Sequence, residues 1–228
     1  INLLGDHTDP WSNEEKVFGN TISVTTTVKS VVFSPEDQKF WISTRNESPT
    51  GLGEFLEVDV NNFWTKNRST TTLPGKSPQN AQLKSDIRNY RQAYISWHLE
   101  NHLPNYQEQT LQHLRNALSD NPTDGNIWAQ AGLVAFKQHL FSESTTYFEH
   151  ALTKVLTAHI RESCSLFLAR CFDLLSRREE ALLIYSNHDE ITTKEIKSEF
   201  KKGLQRPYRE KDIHKIILDL QFAAPMVF

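Results

Sequence analysis

Asp6, His7 and Ser12 are the first residues of the chain whose types could do chemistry together. Asp6-His7 puts a carboxylate beside an imidazole, Asp9-Pro10 is a turn signal, and Ser12 offers a hydroxyl. An acyl-transfer reading makes His7 a base and Ser12 a nucleophile. Against it, adjacent residues of an extended chain point to opposite faces, so Asp6 is badly placed to orient His7. No Gly-x-Ser-x-Gly elbow surrounds Ser12. The three residues read either as a polar turn capped by Asp and Ser or as supporting groups around a nucleophile elsewhere.

Two other clusters have suggestive spacing. His98 and His102 are four apart, the spacing zinc ligands use on a helix, and His113 follows. No acid or third ligand is fixed by the sequence, and Pro104 closes that helix, so a solvated helix end is expected and no metal. The only cysteines, Cys164 and Cys171, lie seven apart on one face of a predicted helix. That spacing is too long for a redox pair and too lean for a disulfide scaffold, so both are expected as buried thiols.

The elements that must position these residues change character near residue 80. Over residues 21–28 the apolar Ile22, Val24 and Val28 alternate with Ser and Thr, the pattern of a half-buried strand. Val31-Val32-Phe33 continues it, Ser34-Pro35-Glu36-Asp37-Gln38 is a turn, and residues 39–43 return as the partner strand. Residues 55–60 alternate again. Three strands are too few for a full core, so they are expected to complete a larger sheet.

The turn Asp6-His7-Thr8-Asp9-Pro10-Trp11-Ser12, the hairpin over residues 21–43 and the stretch Pro49-Thr50-Gly51-Leu52-Gly53-Glu54-Phe55-Leu56-Glu57-Val58-Asp59 together carry a family resemblance. They resemble the C-terminal end of the C45 peptidase family, which groups acyl-CoA:isopenicillin N acyltransferase-like and carcinine-hydrolase-like enzymes. The resemblance implies an N-terminal nucleophile (Ntn) αββα fold in which autoproteolysis exposes a cysteine. That cysteine's own α-amino group serves as base for amide hydrolysis or acyl transfer, on a small amide or acyl substrate and without metal or cofactor. Asp6, His7 and Ser12 would then line or brace the site. The sequence departs from the pattern twice: Ser12 is followed by Asn13-Glu14-Glu15-Lys16 rather than an arginine, and no cysteine precedes Cys164. On this reading the nucleophile lies upstream and the 228 residues alone are not an active enzyme. The opening at Ile1 inside an apolar run, without methionine, reads the same way, as the C-terminal part of something longer.

Residues 67–81 are rich in Ser, Thr, Pro, Gly and Asn and read as a linker. From Asp86 onward apolar residues recur at three and four, with a 34-residue period pairing Tyr94 with Trp128, Trp97 with Ala131, Leu114 with Phe148 and Ala117 with Ala151. The unit built on Trp128, Ala131, Gly132, Ser144, Phe148 and Ala151 resembles a tetratricopeptide repeat, and a further unit follows 37 residues later with Ala169, Phe172, Ala181 and Tyr185. Gly132 and Ala169 would let paired helices approach, with Phe148 and Tyr185 filling the adjoining groove. At Gly132, alanine is expected to be close to neutral and leucine harmful. Thr192-Thr193-x-Glu195 resembles a capping box, and the residues after it carry interleaved Lys, Arg, Glu and Asp, the pattern of a solvated helix face. From Ile213 a last amphipathic element is expected to dock on the preceding repeat.

A net charge of −3 argues against nucleic acid as a partner, and no run of 18 apolar residues offers a membrane span. The expectation is therefore an α+β chain: residues 1–66 as antiparallel strands of an Ntn-type sheet, 67–85 as linker, 86–190 as all-α tetratricopeptide-like helical hairpins, and 191–228 as a basic helix and tail. Its expected function is part of an amide hydrolase or acyltransferase. The rival is a non-enzymatic module whose repeats bind a peptide or protein partner. The compartment is left open.

Overall fold

The structure, a computed structural model, describes residues 4, 6, 8–10, 13, 15, 29–44, 52–64, 71–76, 81–216 and 218. It is an α+β chain, with an antiparallel sheet followed by helices. The chain divides into two compact units, residues 1–87 and 88–228.

The sheet holds β1 (Val31–Ser34), β2 (Lys39–Ser43), β3 (Phe55–Asp59) and β4 (Thr72–Leu73), in that order and antiparallel throughout. The expected turn joins β1 to β2: Ser34 pairs with Lys39, the Ser34 hydroxyl donates to Asp37 at 2.7 Å, and Gln38 takes a positive φ of 52°. Register sorts the two faces. Lys39, Trp41 and Glu57 share one, where Lys39 Nζ and Trp41 Nε1 both donate to the Glu57 carboxylate. Phe33 and Phe40 share the other, with ring centroids 5.6 Å apart. Thr72–Leu73 lies inside the stretch expected as linker and instead pairs with β3. The strand expected over residues 21–28 lies outside the described residues.

Seven helices follow: α1 (Ala81–His98), α2 (Tyr106–Asp120), α3 (Gly125–Lys137), α4 (Phe141–Leu152), α5 (Ala158–Leu174), α6 (Arg178–Ser186) and α7 (Lys194–Gln205). α1 begins five residues earlier than the periodicity suggested, because its first turn carries no apolar stripe to reveal it. From α2 onward each helix packs on its sequence neighbour, and α3 also packs on α5 and α5 on α7, so these three odd-numbered helices form one layer. The turns after α3 and α5 are alike. His139 and Ser176, 37 residues apart, both take φ 61°, and the amides of Leu140 and Arg177 reach back to the carbonyls of Ala135 and Phe172.

The core sits between these hairpins, in Leu114, Ala117, Ala131, Val134, Phe136, Phe148, Ala151, Phe167 and Ala169, all fully buried. A Cβ built on Gly132 would lie 2.7 Å from the Phe148 ring, so glycine is what lets α4 close on α3. The equivalent ring one hairpin on, Tyr185, lies on Gly203 of α7 and reaches Asp173 of α5 through its hydroxyl, and the contact with Gly203 is too distant in sequence for the repeat pattern to show. The N-terminus of α7 is also capped from afar. Thr193 makes no side-chain cap, and buried Glu162 of α5 accepts instead from the Thr192 and Thr193 amides at 2.7 and 3.1 Å.

Candidate functional site

Asp6 is the one member of the expected trio within the described residues; His7 and Ser12 lie outside them. The Asp6 carboxylate accepts from the Thr8 amide at 3.1 Å, closing a local turn, and from Lys76 Nζ at 2.9 Å. The hydrogen bond from Lys76, helped by Thr8, lowers its pKa to about 2. A carboxylate so committed works as a strut that ties the turn to residue 76, and at neutral pH it is a poor proton acceptor. Cys164 and Cys171 are both buried and free, and burial pushes each thiol up to about 12. Neither is a thiolate at neutral pH, so neither fits the role of nucleophile. Among the described residues no three His, Cys, Asp or Glu are grouped to hold a metal, and no helix is long and apolar enough to cross a membrane.

A second site emerges in the helical unit, where alternate helices meet one extended segment. After α7 ends at Gln205, residues 206–209 run extended, a 3₁₀ helix spans Glu210–Lys215, and Ile216 and Leu218 follow. This segment crosses α5, α3 and α1 in turn. At α5, the Tyr208 amide donates to Asp173 Oδ2 at 2.7 Å, and the Arg170 guanidinium stacks on the Tyr208 ring at 4.6 Å. At α3, the ring of Phe136 lies 6.1 Å from Tyr208, and His139 Nδ1 meets Glu210 at 2.8 Å. Lys137 Nζ, in the last turn of α3, donates to the carbonyls of Ile213 at 3.2 Å and Ile216 at 2.9 Å. At α1, Trp97 Nε1 donates to the carbonyl of Leu218 at 3.2 Å. Ile213, Ile216 and Leu218 are buried, as is Asp212. Burial lowers the Lys137 amine below its ordinary pKa, the signature of a cation drawn out of water to serve main-chain acceptors.

Beside the segment an open cleft of ≈ 160 Å³ runs against α5, α6 and α7, lined by Arg170, Glu199, Lys202 and Tyr208 among others. The Arg170 side chain is only 4% exposed, and its Nη2 donates to Glu199 at 2.7 Å. Its Nη1 finds no partner, and neither does the buried hydroxyl of Tyr208. Burial pushes that phenol up to about 12, so it stays a neutral donor.

The docking expected from Ile213 onward does occur, but beyond the preceding hairpin: it reaches α3 and α1, 76 to 121 residues back in sequence. Local periodicity carries no information at that separation. The signal present in the sequence was the spacing of Tyr208, Ile213 and Ile216 on an otherwise charged segment. No family model matches the chain, and neither does any curated protein or any solved structure.

Proposed function

We propose that the helical unit is a recognition module for short peptide segments, built on tetratricopeptide-like hairpins, whose task is to hold a protein partner. What carries this reading is the segment lying across α5, α3 and α1, extended over residues 206–209 and 3₁₀-helical over Glu210–Lys215, held by Lys137 and Trp97 through its carbonyl oxygens. Donors aimed at main-chain carbonyls serve any chain that lies extended on that face, while specificity is left to the side chains between them. The equal turns at His139 and Ser176, and the ring of Phe148 seated on Gly132, support the hairpin assignment.

A library of short peptides panned against the chain should enrich ligands for this face. Lys137→Met keeps most of the stem and removes the donor, so it should weaken them at least about tenfold, the loss of its two charge-assisted hydrogen bonds. Failure to enrich any peptide, in the wild-type chain and in one carrying Ile213→Ser and Ile216→Ser, would contradict the reading.

A second reading concerns the first unit alone. Its antiparallel sheet and the anchored Asp6 turn support the C-terminal part of an Ntn amide hydrolase or acyltransferase. That reading requires a nucleophile outside these 228 residues, since both cysteines present are buried thiols. The chain offered chromogenic acyl amides should show no turnover; turnover abolished by Ser12→Ala would instead establish a serine mechanism within it.

A further inference from the structure

We propose that residues 206–216, with Leu218, are a self-ligand: they occupy the face of α5, α3 and α1 that a partner peptide must take, and the partner binds by displacing them. This rests on the peptide-recognition reading and adds to it both the chemistry of the partner and a means of regulation. The segment is its own template. It presents an aromatic residue (Tyr208), an acid two residues on (Glu210), and branched aliphatic side chains five and eight residues on (Ile213 and Ile216). The aromatic ring meets Arg170 and Phe136, the acid meets His139, and the two isoleucines are buried beside carbonyls held by Lys137. A partner that matches this face is a peptide that enters extended at its aromatic residue and then takes a 3₁₀ turn, with the same order of aromatic, acid and two branched aliphatic residues.

Three features mark the segment as displaceable rather than as part of the fixed core. The hydrogen bonds it takes from Lys137 and Trp97 run to its main-chain carbonyls, so a competing backbone can replace them without loss. Its packing is incomplete on one side: Arg206, Pro207 and Tyr208 border a ≈ 160 Å³ cleft, open to solvent, against α5 and α7. Two buried donors, Arg170 Nη1 and the Tyr208 hydroxyl, are left without acceptors at the same junction, a desolvation cost the docked state does not recover. A competitor carrying an acceptor near its own aromatic position would satisfy Arg170 Nη1 and gain over the chain's own segment. Between its buried points the segment also exposes Arg206, Pro207, Arg209, Glu210 and Lys211, where an incoming chain can start the exchange.

The test uses the full chain and a labelled synthetic peptide of residues 206–218 supplied in trans. If the docked segment covers the face more than nine-tenths of the time, the wild-type chain binds this peptide at least tenfold more weakly than its bare face would. The Ile213→Ser, Ile216→Ser chain, shown by circular dichroism to keep its helices, should therefore bind at least tenfold tighter than wild type. Adding Lys137→Met should remove that gain, and a scrambled peptide should not bind. Equal affinity for wild type and variant overturns the self-ligand proposal while leaving peptide recognition standing. No binding to either, with helices intact, overturns the recognition reading itself. A second measurement decides the matter even if the variant unfolds. In isotope-labelled wild-type chain titrated with unlabelled peptide, the amide signals of Tyr208, Asp212 and Ile216 should move to the positions of the free peptide. Signals of α3 that shift while those three stay fixed would show binding without displacement and overturn the proposal.

Discussion

Phe33 in the sheet and Phe148 in the helices are the same side chain in opposite circumstances. Phe33 lies on β1, pairs with Phe40 across the strand boundary and is 70% exposed. Phe148 lies on α4, covers Gly132 of α3 and is fully buried. The difference follows from how each element finds a partner. A helical hairpin brings its own second layer, so an apolar stripe on α4 is covered as soon as the chain turns back from α3. A sheet buries an apolar face only against another layer, and among the described residues before α1 only Leu52 and Phe55 are fully buried apolar side chains. Trp64, 87% exposed, repeats the lesson at the sheet's end. Among the described residues, the helices bury their large rings, while Phe33 and Trp64 of the sheet unit stay exposed.

Deleting the ring that closes the hairpin should have the largest effect. Phe148→Ala leaves a cavity against Gly132 and Phe167, and should cost about 3–5 kcal/mol in urea unfolding. A loss near that of an exposed phenylalanine would break the comparison at its root.

Gly132→Ala sharpens it. The sequence suggested near-neutrality, but a Cβ at 2.7 Å from a buried ring must displace the whole Phe148 side chain. Overpacking outweighs the propensity gained, for a net loss of about 1–2 kcal/mol, with Gly132→Leu losing more. Equal stability of glycine and leucine at this position would mean that the α3–α4 crossing is open.

Glu162 gives the comparison a pH dependence. Burial opposes its charge, yet the hydrogen bonds from Thr192 and Thr193 outweigh burial and hold its pKa below the ordinary value. A lowered folded-state pKa means the stabilisation is present above the unfolded value of about 4.3 and fades as pH falls through the folded one. Glu162→Gln should therefore cost about 1–2 kcal/mol at pH 7, the range of a lost helix cap, and much less near pH 3. A difference independent of pH would show that the charge is not what caps α7.

In the sheet, Phe33→Ser and Trp64→Ser should each change stability by no more than about 0.5 kcal/mol, as for other exposed positions. A loss of several kcal/mol at either would reveal a second layer over that face.

What the sequence disclosed and what it hid divide along the same line. Strands β1 to β3 and the Ser34–Gln38 turn were legible because alternation and turn chemistry are written within a few residues. That Trp97, Ala131, Leu114 and Phe148 are core was legible because apolar residues recurring at three and four mark the inner face of a helix, and all four are buried. β4 was hidden because two exposed residues in a Ser/Thr-rich stretch carry no alternation. Gly203 beneath Tyr185, Glu162 capping α7, and Lys137 holding the carbonyls of Ile213 and Ile216 were hidden because each joins positions with no common period. At the Asp6 turn, the sequence put a carboxylate in a polar turn, and it took the structure to find Lys76 on the other side of it.

Native-state amide exchange tests most directly the claim that the helices form a complete fold on which residues 206–216, with Leu218, ride as a ligand. The amides of Tyr208, Asp212 and Ile216 are hydrogen-bonded to Asp173, Arg209 and Ile213, so each reports opening of the segment. The account predicts that these three exchange through an opening well below the free energy of global unfolding, while amides inside α3 and α5 stay protected to the global limit. If the three amides exchange only when α3 and α5 do, the segment is part of the core and the claim fails.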